Sequence, residues 1–198
     1  MDEAGADKKI SQLLEQVNLK KSKLSNFPHE LSGGEKRRVG IARVLSVGAR
    51  FIVADEPTSA LDVSIQAQVV NLMRDLQKNL GLSYLFISHD LRAIRHTSNR
   101  VAVMYLGKLV ELADARVIYD QPLMPYTKAL ISAVPIPDPK IEATRRRMVL
   151  EGDVPSPINP PSGCTFRTRC PKALPACAEK RPELHVLNAA TQVACDLV

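Results

Sequence analysis

Phe51-Ile-Val-Ala-Asp-Glu56 is a run of four apolar residues that ends in two adjacent carboxylates. A short apolar stretch bounded by polar residues reads as a buried parallel strand. Downstream, Ile65, Val69, Leu72, Leu76 and Leu80 fall on one face of a helix, and Asn79-Leu-Gly81 supplies its C-terminal stop. Ser83 to Ile87 reads as the next strand. Strand, long helix, strand is a βαβ unit, which requires a sheet that is at least partly parallel. The fold class is therefore α/β, and Asp55 and Glu56 stand at the C-terminal end of a strand, where open α/β sheets place their ligands.

Working outward, Ile10, Leu13, Leu14 and Val17 follow helical spacing, so residues 8–18 are expected to form an amphipathic helix. Asn26-Phe-Pro28 breaks the chain before a second helix from Glu35 to about Leu45. Ser32-x-x-Glu35 predicts a capping box at its start, each side chain satisfying the other residue's free N–H. On the C-terminal side of the βαβ unit, Arg100 to Tyr105 and Lys108 to Leu112 read as strands turning at Gly107. From Pro135 the character changes: residues 135–198 hold ten of the fourteen prolines and all four cysteines, with a weak helical pattern between Ile141 and Val149. A boundary is expected near 135–150, with a loop-rich, cysteine-containing appendage beyond it.

At 198 residues, 45% hydrophobic and 24% charged, the chain has the composition of a folded soluble protein. It holds no apolar stretch approaching the roughly 18 residues of a membrane span, and its start lacks the basic and apolar regions of a secretory signal. A cytoplasmic location is expected. The net charge of +6 invites a nucleic-acid reading, but aromatics are only 4% with no Trp, leaving few platforms for base stacking. Lys36-Arg37-Arg38 and Arg145-Arg146-Arg147 read as solvated helix faces.

The chemistry starts from the two carboxylates. Asp55 can hold Mg²⁺, usually through water, and Glu56 can orient or deprotonate an attacking water. His89 follows the next strand at the same edge of the sheet, placed to contact a transferred phosphate. Ser32-Gly33-Gly34 precedes a helix whose free N–H groups and dipole suit an anion, and two adjacent glycines let a phosphate approach closely. The bland readings are a strand that happens to end in acids, a solvated histidine and a simple helix cap. None of the nine glycines belongs to a Gly-x-x-x-x-Gly-Lys-Ser/Thr loop, so these residues include half of a phosphate-handling site.

Taken together, these runs resemble those of ABC transporter ATPases. Leu31-Ser-Gly-Gly-Glu-Lys-Arg-Arg-Val-Gly-Ile-Ala-Arg43 is similar to the signature motif, Phe51 to Glu56 to a Walker B motif, Ser59-Ala60-Leu61-Asp62 to a D-loop, and His89 to the switch histidine. The resemblance is nearer still to ATP-binding subunits of oligopeptide and dipeptide importers. It is carried by Pro28-His-Glu-Leu-Ser-Gly-Gly34, Asp55 to Gln68 and Met104 to Glu111, and in the tail by Pro125-Tyr-Thr-Lys-Ala-Leu130, Glu151-Gly-Asp-Val-Pro-Ser-Pro157 and Pro160-Pro-Ser-Gly-Cys164.

The resemblance implies a partial P-loop NTPase sheet with flanking helices. Residues 1–134 would form the C-terminal part of a nucleotide-binding domain, with 1–50 the end of its helical subdomain and 51–134 its core. Residues 135–198 would be the oligopeptide-transporter extension. It implies ATP and Mg²⁺ as ligands and a head-to-tail pair of ATP-binding subunits, homo- or heterodimeric. In that pair Ser32, Gly33, Gly34 and Glu35 would meet the γ-phosphate held by a partner, while Asp55, Glu56 and His89 would serve a P-loop upstream of this region. Permease subunits and, through them, an extracytoplasmic solute-binding protein are the implied partners, at the cytoplasmic face of the membrane, with no nucleic acid expected.

Three expectations follow. The family's P-loop strand would lie between those matching Ser83 to Ile87 and Arg100 to Tyr105, so this region by itself is expected to be sticky. Without the P-loop's donors it is expected neither to bind nor to hydrolyse ATP unaided. Alternative readings are a partner that contributes only its signature to another subunit's ATP, an inactive gene fragment, and a nucleic-acid-binding relative with a zinc site. Cys164, Cys170, Cys177 and Cys195 have gaps of five, six and seventeen residues, neither short gap matching a zinc knuckle. A [4Fe-4S] cluster, which similar importer tails hold, is expected, with zinc as runner-up and unligated thiols as the bland reading.

Overall fold

The structure, a computed structural model, describes residues 3–136, 138–144, 147–188 and 190–198. The chain divides into two compact units, one reaching to Ala93 and the other running from Ile94 to Val198.

The first unit opens with helix α1 (Glu3–Gln16), followed by α2 (Gly33–Ser46), strand β1 (Phe51–Asp55), α3 (Val63–Leu80) and β2 (Ser83–Ile87). As the apolar spacing predicts, β1 and β2 pair in parallel, from Phe51 opposite Ser83 to Asp55 opposite Ile87. Gly81 ends α3 in the left-handed conformation, and Asp62 caps its start by accepting from the Ile65 N–H at 2.9 Å. The α3 stripe of Val69, Val70, Leu72, Met73 and Leu76 is buried, each such side chain contributing about 1.5–3 kcal/mol. Leu72 and Leu76 join Leu13, Leu14, Val17, Leu45 and Ile52 in one core, and Val69 and Met73 join Ala54 in another.

One expectation is corrected here. The 51–54 run reads as wholly buried, but β1 alternates, with Ile52 and Ala54 buried and Phe51 and Val53 exposed. Leu85 and Ile87 of β2 are also about half exposed. The two strands form a two-stranded sheet, so the helices cover only one of its faces and the run is amphipathic in effect.

Helix α4 (Leu91–Thr97) spans the join between the units. The second unit then forms a hairpin of β3 (Arg100–Tyr105) and β4 (Lys108–Asp114), turning at Leu106 and Gly107, both at positive φ as a tight hairpin demands. Helices α5 (Ala115–Asp120) and α6 (Pro125–Ala133) follow. The buried Glu111 carboxylate of β4 accepts the N–H groups of Leu123 at 2.8 Å and Met124 at 3.0 Å, satisfying donors at the start of α6.

The tail differs from the expected appendage. After α7 (Pro139–Thr144) it supplies β5 (His185–Asn188) and β6 (Thr191–Val193), giving an antiparallel sheet in the order β3-β4-β6-β5. Phe166 and Val193 are fully buried in a core with Val101, Val103, Tyr105 and Ile118. The Phe166 ring meets Tyr105 edge-on at 5.2 Å and Tyr126 at 5.3 Å. The boundary expected near 135–150 therefore falls inside a unit whose core draws on both sides of it. Short strands in a proline-rich segment carry no periodic signal, which is why the sequence hides them. Of the helical pattern expected over 141–149, residues 141–144 are helical and 147–149 are not, and Arg145 and Arg146 lie outside the described residues. Gly163, at φ +61°, lies so close to the backbone of Cys177 and Ala178 that a Cβ would collide with it. Among the described residues no helix is long and apolar enough to cross a membrane.

Candidate functional site

The parallel ladder continues one residue past β1, the Glu56 N–H donating to the Ile87 carbonyl at 2.9 Å. That bond brings the two strand ends together and sets Glu56 beside the Ser88-His89-Asp90 turn. His89 Nδ1 lies 2.8 Å from Glu56 Oε1, with both side chains open to solvent. The hydrogen bond to Glu56 raises the His89 pKa above its ordinary value; the Glu56 charge and, more weakly, Asp90 act the same way against a smaller desolvation effect. In its charged form the imidazole donates from Nδ1 to the carboxylate. Glu56 itself has φ +44°, a conformation that costs a non-glycine residue on the order of 1–3 kcal/mol and that gathers at functional sites. Asp55, the last residue of β1, is exposed.

The turn that follows is pinned from several sides. Ser59 returns to Glu56 through both its N–H, at 3.1 Å, and its hydroxyl, at 3.0 Å, each donating to the Glu56 carbonyl. Gln66 of α3 donates its amide to the carbonyls of Thr58 and Leu61, at 3.2 and 3.0 Å. Ala60 has φ +58°, and Asp62 closes the segment as the cap of α3.

The capping box expected at Ser32 is present. Ser32 Oγ accepts the Glu35 N–H at 3.3 Å, and Glu35 Oε2 accepts the Ser32 N–H at 2.9 Å. The other Glu35 oxygen pairs with Lys23 Nζ at 3.0 Å. The Ser32 backbone N–H, followed by Lys23 and the Ser32 hydroxyl, pulls the Glu35 carboxyl down to about 2. Gly33 and Gly34 approach neighbouring side chains closely. A Cβ on Gly34 would lie 2.6 Å from Ile65 Cγ2, and one on Gly33 would lie 2.9 Å from Leu61 Cδ2. The start of α2 is thus packed against the Ser59–Asp62 turn and the first turn of α3.

Two arginines correct the solvated-face reading of Lys36-Arg37-Arg38. Arg37 Nη2 donates to Ser59 Oγ at 3.0 Å. Arg38 donates to the Asn18 carbonyl and to the Gln68 side chain, both at 2.9 Å. Sequence reasoning missed Arg37, Gln66 and Lys23. Nothing in their spacing marks them, because each acts on a residue distant in sequence or on backbone.

All four cysteines lie in the second unit and are unbridged thiols. Burial pushes the Cys164 and Cys195 thiols up, and each is raised further by neighbouring thiols: Cys177, Cys195 and Cys170 act on Cys164, and Cys170 and Cys177 act on Cys195. The four therefore share one neighbourhood. Among the described residues, however, no group of three or more His, Cys, Asp or Glu side chains is set to hold a metal ion. The expected cluster is not matched by a ready-made cage.

Residues 2–59 match the ABC transporter family, and residues 110–177 match the oligopeptide/dipeptide transporter C-terminal region. YkfD of Bacillus subtilis is 56% identical over 188 residues, 95% of this chain and 57% of its own length. The oligopeptide transport ATP-binding protein AppF of Bacillus subtilis is 53% identical over 96% of this chain and 58% of its own. The oligopeptide transport ATP-binding protein OppF of Salmonella typhimurium is 56% identical over 89% of this chain and 53% of its own. The chain thus spans little more than half the length of these relatives. Among solved structures, the ATP-binding cassette MJ0796, a dimer bound to ADP and Pi, covers 59% of this chain and is itself half covered, at 28% identity and a TM-score of 0.52. CbiO1 of Clostridium perfringens, part of the ABC transporter complex CbiONQ, aligns over 61% of this chain and 48% of its own at 27% identity, with a TM-score of 0.55.

Proposed function

We propose, from the premise that this chain belongs to the ABC transporter ATP-binding proteins and carries their oligopeptide/dipeptide-type C-terminal region, that it is part of the ATP-hydrolysing subunit of a peptide importer. The observation that carries the reading is the contact between Glu56 and His89 at the C-terminal ends of two parallel strands.

Each residue has a role in this proposal. Glu56 accepts the proton of, and orients, an attacking water, and His89 holds that carboxylate in position while presenting the rest of its exposed imidazole to the phosphate side. Asp55 offers a hard oxygen ligand, which suits Mg²⁺, an ion commonly held by one or two carboxylates together with substrate phosphates and water. When bound, Mg²⁺ neutralises charge on the phosphates. The α2 start, with Ser32, Gly33 and Gly34, serves the ATP of an adjoining subunit. Glu35 stays ionised but is neutralised by Lys23, which reduces its repulsion of an incoming anion. Ser59, Ala60, Leu61 and Asp62 link the two sites as a D-loop. No Gly-x-x-x-x-Gly-Lys-Ser/Thr run occurs within the 198 residues, so in this reading the phosphate cradle comes from polypeptide outside them.

The partners in this reading are a second ATP-binding subunit and permease subunits at the cytoplasmic face of a membrane, with peptides as solute. The four thiols extend the proposal to a [4Fe-4S] cluster, supported by their shared neighbourhood. Iron and acid-labile sulfide analysis of anaerobically purified protein decides between that cluster, zinc and free thiols.

The test of the main reading is Mg·ATP hydrolysis by this chain mixed with the P-loop-containing N-terminal segment of a homologous subunit, which supplies the cradle that Glu56 would serve. Glu56→Gln is expected to lower the chain-dependent part of the rate by about 10²-fold or more, and Ser32→Ala to lower it as well. A rate indifferent to Glu56 would sink the hydrolytic role. A rate lowered only by Ser32→Ala would favour the alternative of a partner that lends its signature alone.

A further inference from the structure

We propose that Arg37 is a positioning residue that fixes the Glu56 carboxylate through Ser59, so that the placement of α2 is read at the Glu56–His89 pair. The path is continuous in hydrogen bonds. Arg37 Nη2 donates to Ser59 Oγ, and Ser59 Oγ in turn donates to the Glu56 carbonyl, both at 3.0 Å. The Ser59 N–H reaches the same carbonyl at 3.1 Å. Glu56 then meets His89 through its side chain. The hydroxyl of Ser59 has one proton to give and lone pairs to receive, and here it uses both capacities at once.

The conformation at the far end gives this path something to hold. Glu56 sits at positive φ, which a non-glycine residue keeps only where surrounding bonds enforce it. Two of those bonds end on its own carbonyl and come from Ser59. A third is the Glu56 N–H bond to Ile87, which belongs to the sheet and does not depend on α2. Arg37 therefore supplies a side-chain hydrogen bond from α2 into the turn, alongside the apolar packing of Gly33 on Leu61 of the turn and of Gly34 on Ile65 of α3. Arg38, one residue on, bonds instead to Asn18 and Gln68. It ties α2 to its neighbours without touching the turn, which makes it an internal comparison.

The functional weight of the link rests on the proposed reading of Glu56 as the hydrolytic carboxylate, but its geometry can be tested without any nucleotide. Among the described residues, the charged groups that act on the His89 imidazole are Glu56 and Asp90. A pH titration of the His89 ring proton by NMR in the full chain reports how well Glu56 is held. The parent is expected to titrate above the ordinary histidine value, and Glu56→Gln to remove the elevation. Arg37→Met and Ser59→Ala are each expected to bring the His89 midpoint down toward the Glu56→Gln value, and the double variant to go no further than either alone. Arg37→Lys, which keeps a donor of similar reach, is expected to retain most of the elevation. Arg38→Met is expected to lower the unfolding temperature and leave the His89 midpoint at the parent value.

The inference is overturned if Arg37→Met leaves the midpoint unchanged while Glu56→Gln lowers it. It is equally overturned if Arg38→Met lowers the midpoint as far as Arg37→Met, since general loosening would then explain both. A Glu56→Gln variant that titrates like the parent removes the pair on which the inference stands. Loss of chain-dependent ATP hydrolysis bears on the proposed function and leaves this result intact, so the two can fail separately.

Discussion

A single carboxylate at residue 35 serves as helix cap and ion-pair partner, and its titration has a definite sign. Its pKa falls from 4.5 to about 2 on folding. A depressed carboxyl contributes stability that is fully present above the unfolded value and is lost as pH falls through the folded one. The stability difference between the parent chain and Glu35→Gln, measured by urea unfolding, is therefore expected to be constant above about pH 5 and to narrow progressively as pH falls from about 4.5 through 2. A gap that does not narrow at all between about pH 5 and 2 would contradict the capping geometry. His89 runs the other way: its raised pKa adds stability below its unfolded midpoint that disappears as pH rises through the folded one. Both side chains are solvent-accessible, so screening keeps the effects modest.

At the level of elements, β1 shows how an apolar run can mislead. Ile52 and Ala54 pack inward, on the side of α3, whereas Phe51 and Val53 stand 60% and 57% exposed. Removing the buried side chain leaves a cavity, so Ile52→Ala is expected to cost about 2–5 kcal/mol in a urea melt. Val53→Thr, on the open face, is expected to change stability by no more than about 0.5 kcal/mol. The same open face, extended by Leu85 and Ile87, is a contiguous apolar surface of the kind that drives association. Replacing Phe51 and Leu85 by serine is accordingly expected to raise the concentration at which the chain scatters light, and an unchanged threshold would remove that face as the cause. Equal costs for Ile52→Ala and Val53→Thr would mean that the strand is buried on both sides after all.

For the molecule as a whole, the second unit depends on segments far apart in sequence. Phe166 from the proline-rich tail is buried among Tyr105 of β3 and Tyr126 of α6, and β6 adds to β4 with Val193 opposite Glu111. Phe166→Ala is expected to cost about 3–5 kcal/mol. Amide exchange at Val103 and Val110 should then speed up by roughly a hundredfold or more. Exchange rates that stay at the parent level would show the tail to be an ornament on the hairpin. Gly163 belongs to the same dependence, because its positive φ and its approach to the Cys177 backbone let the cysteine segment fold back on itself.

The residues by themselves determined the parallel βαβ order, the caps at Ser32 and Gly81, and the clustering of Asp55, Glu56 and His89 at one sheet edge. Those features are local: a hydrophobic period, a turn residue, or a position at a strand end can be read within a few residues. Only the tertiary structure decided which face of β1 meets the helices, that Arg37 and Gln66 grip the turn after Glu56, and that Glu111 is buried under α6. It also decided that the tail's short strands complete the sheet begun by β3 and β4. Each of these is a contact between residues well separated along the chain, and a pairing across such a distance leaves no period in the sequence from which to read it.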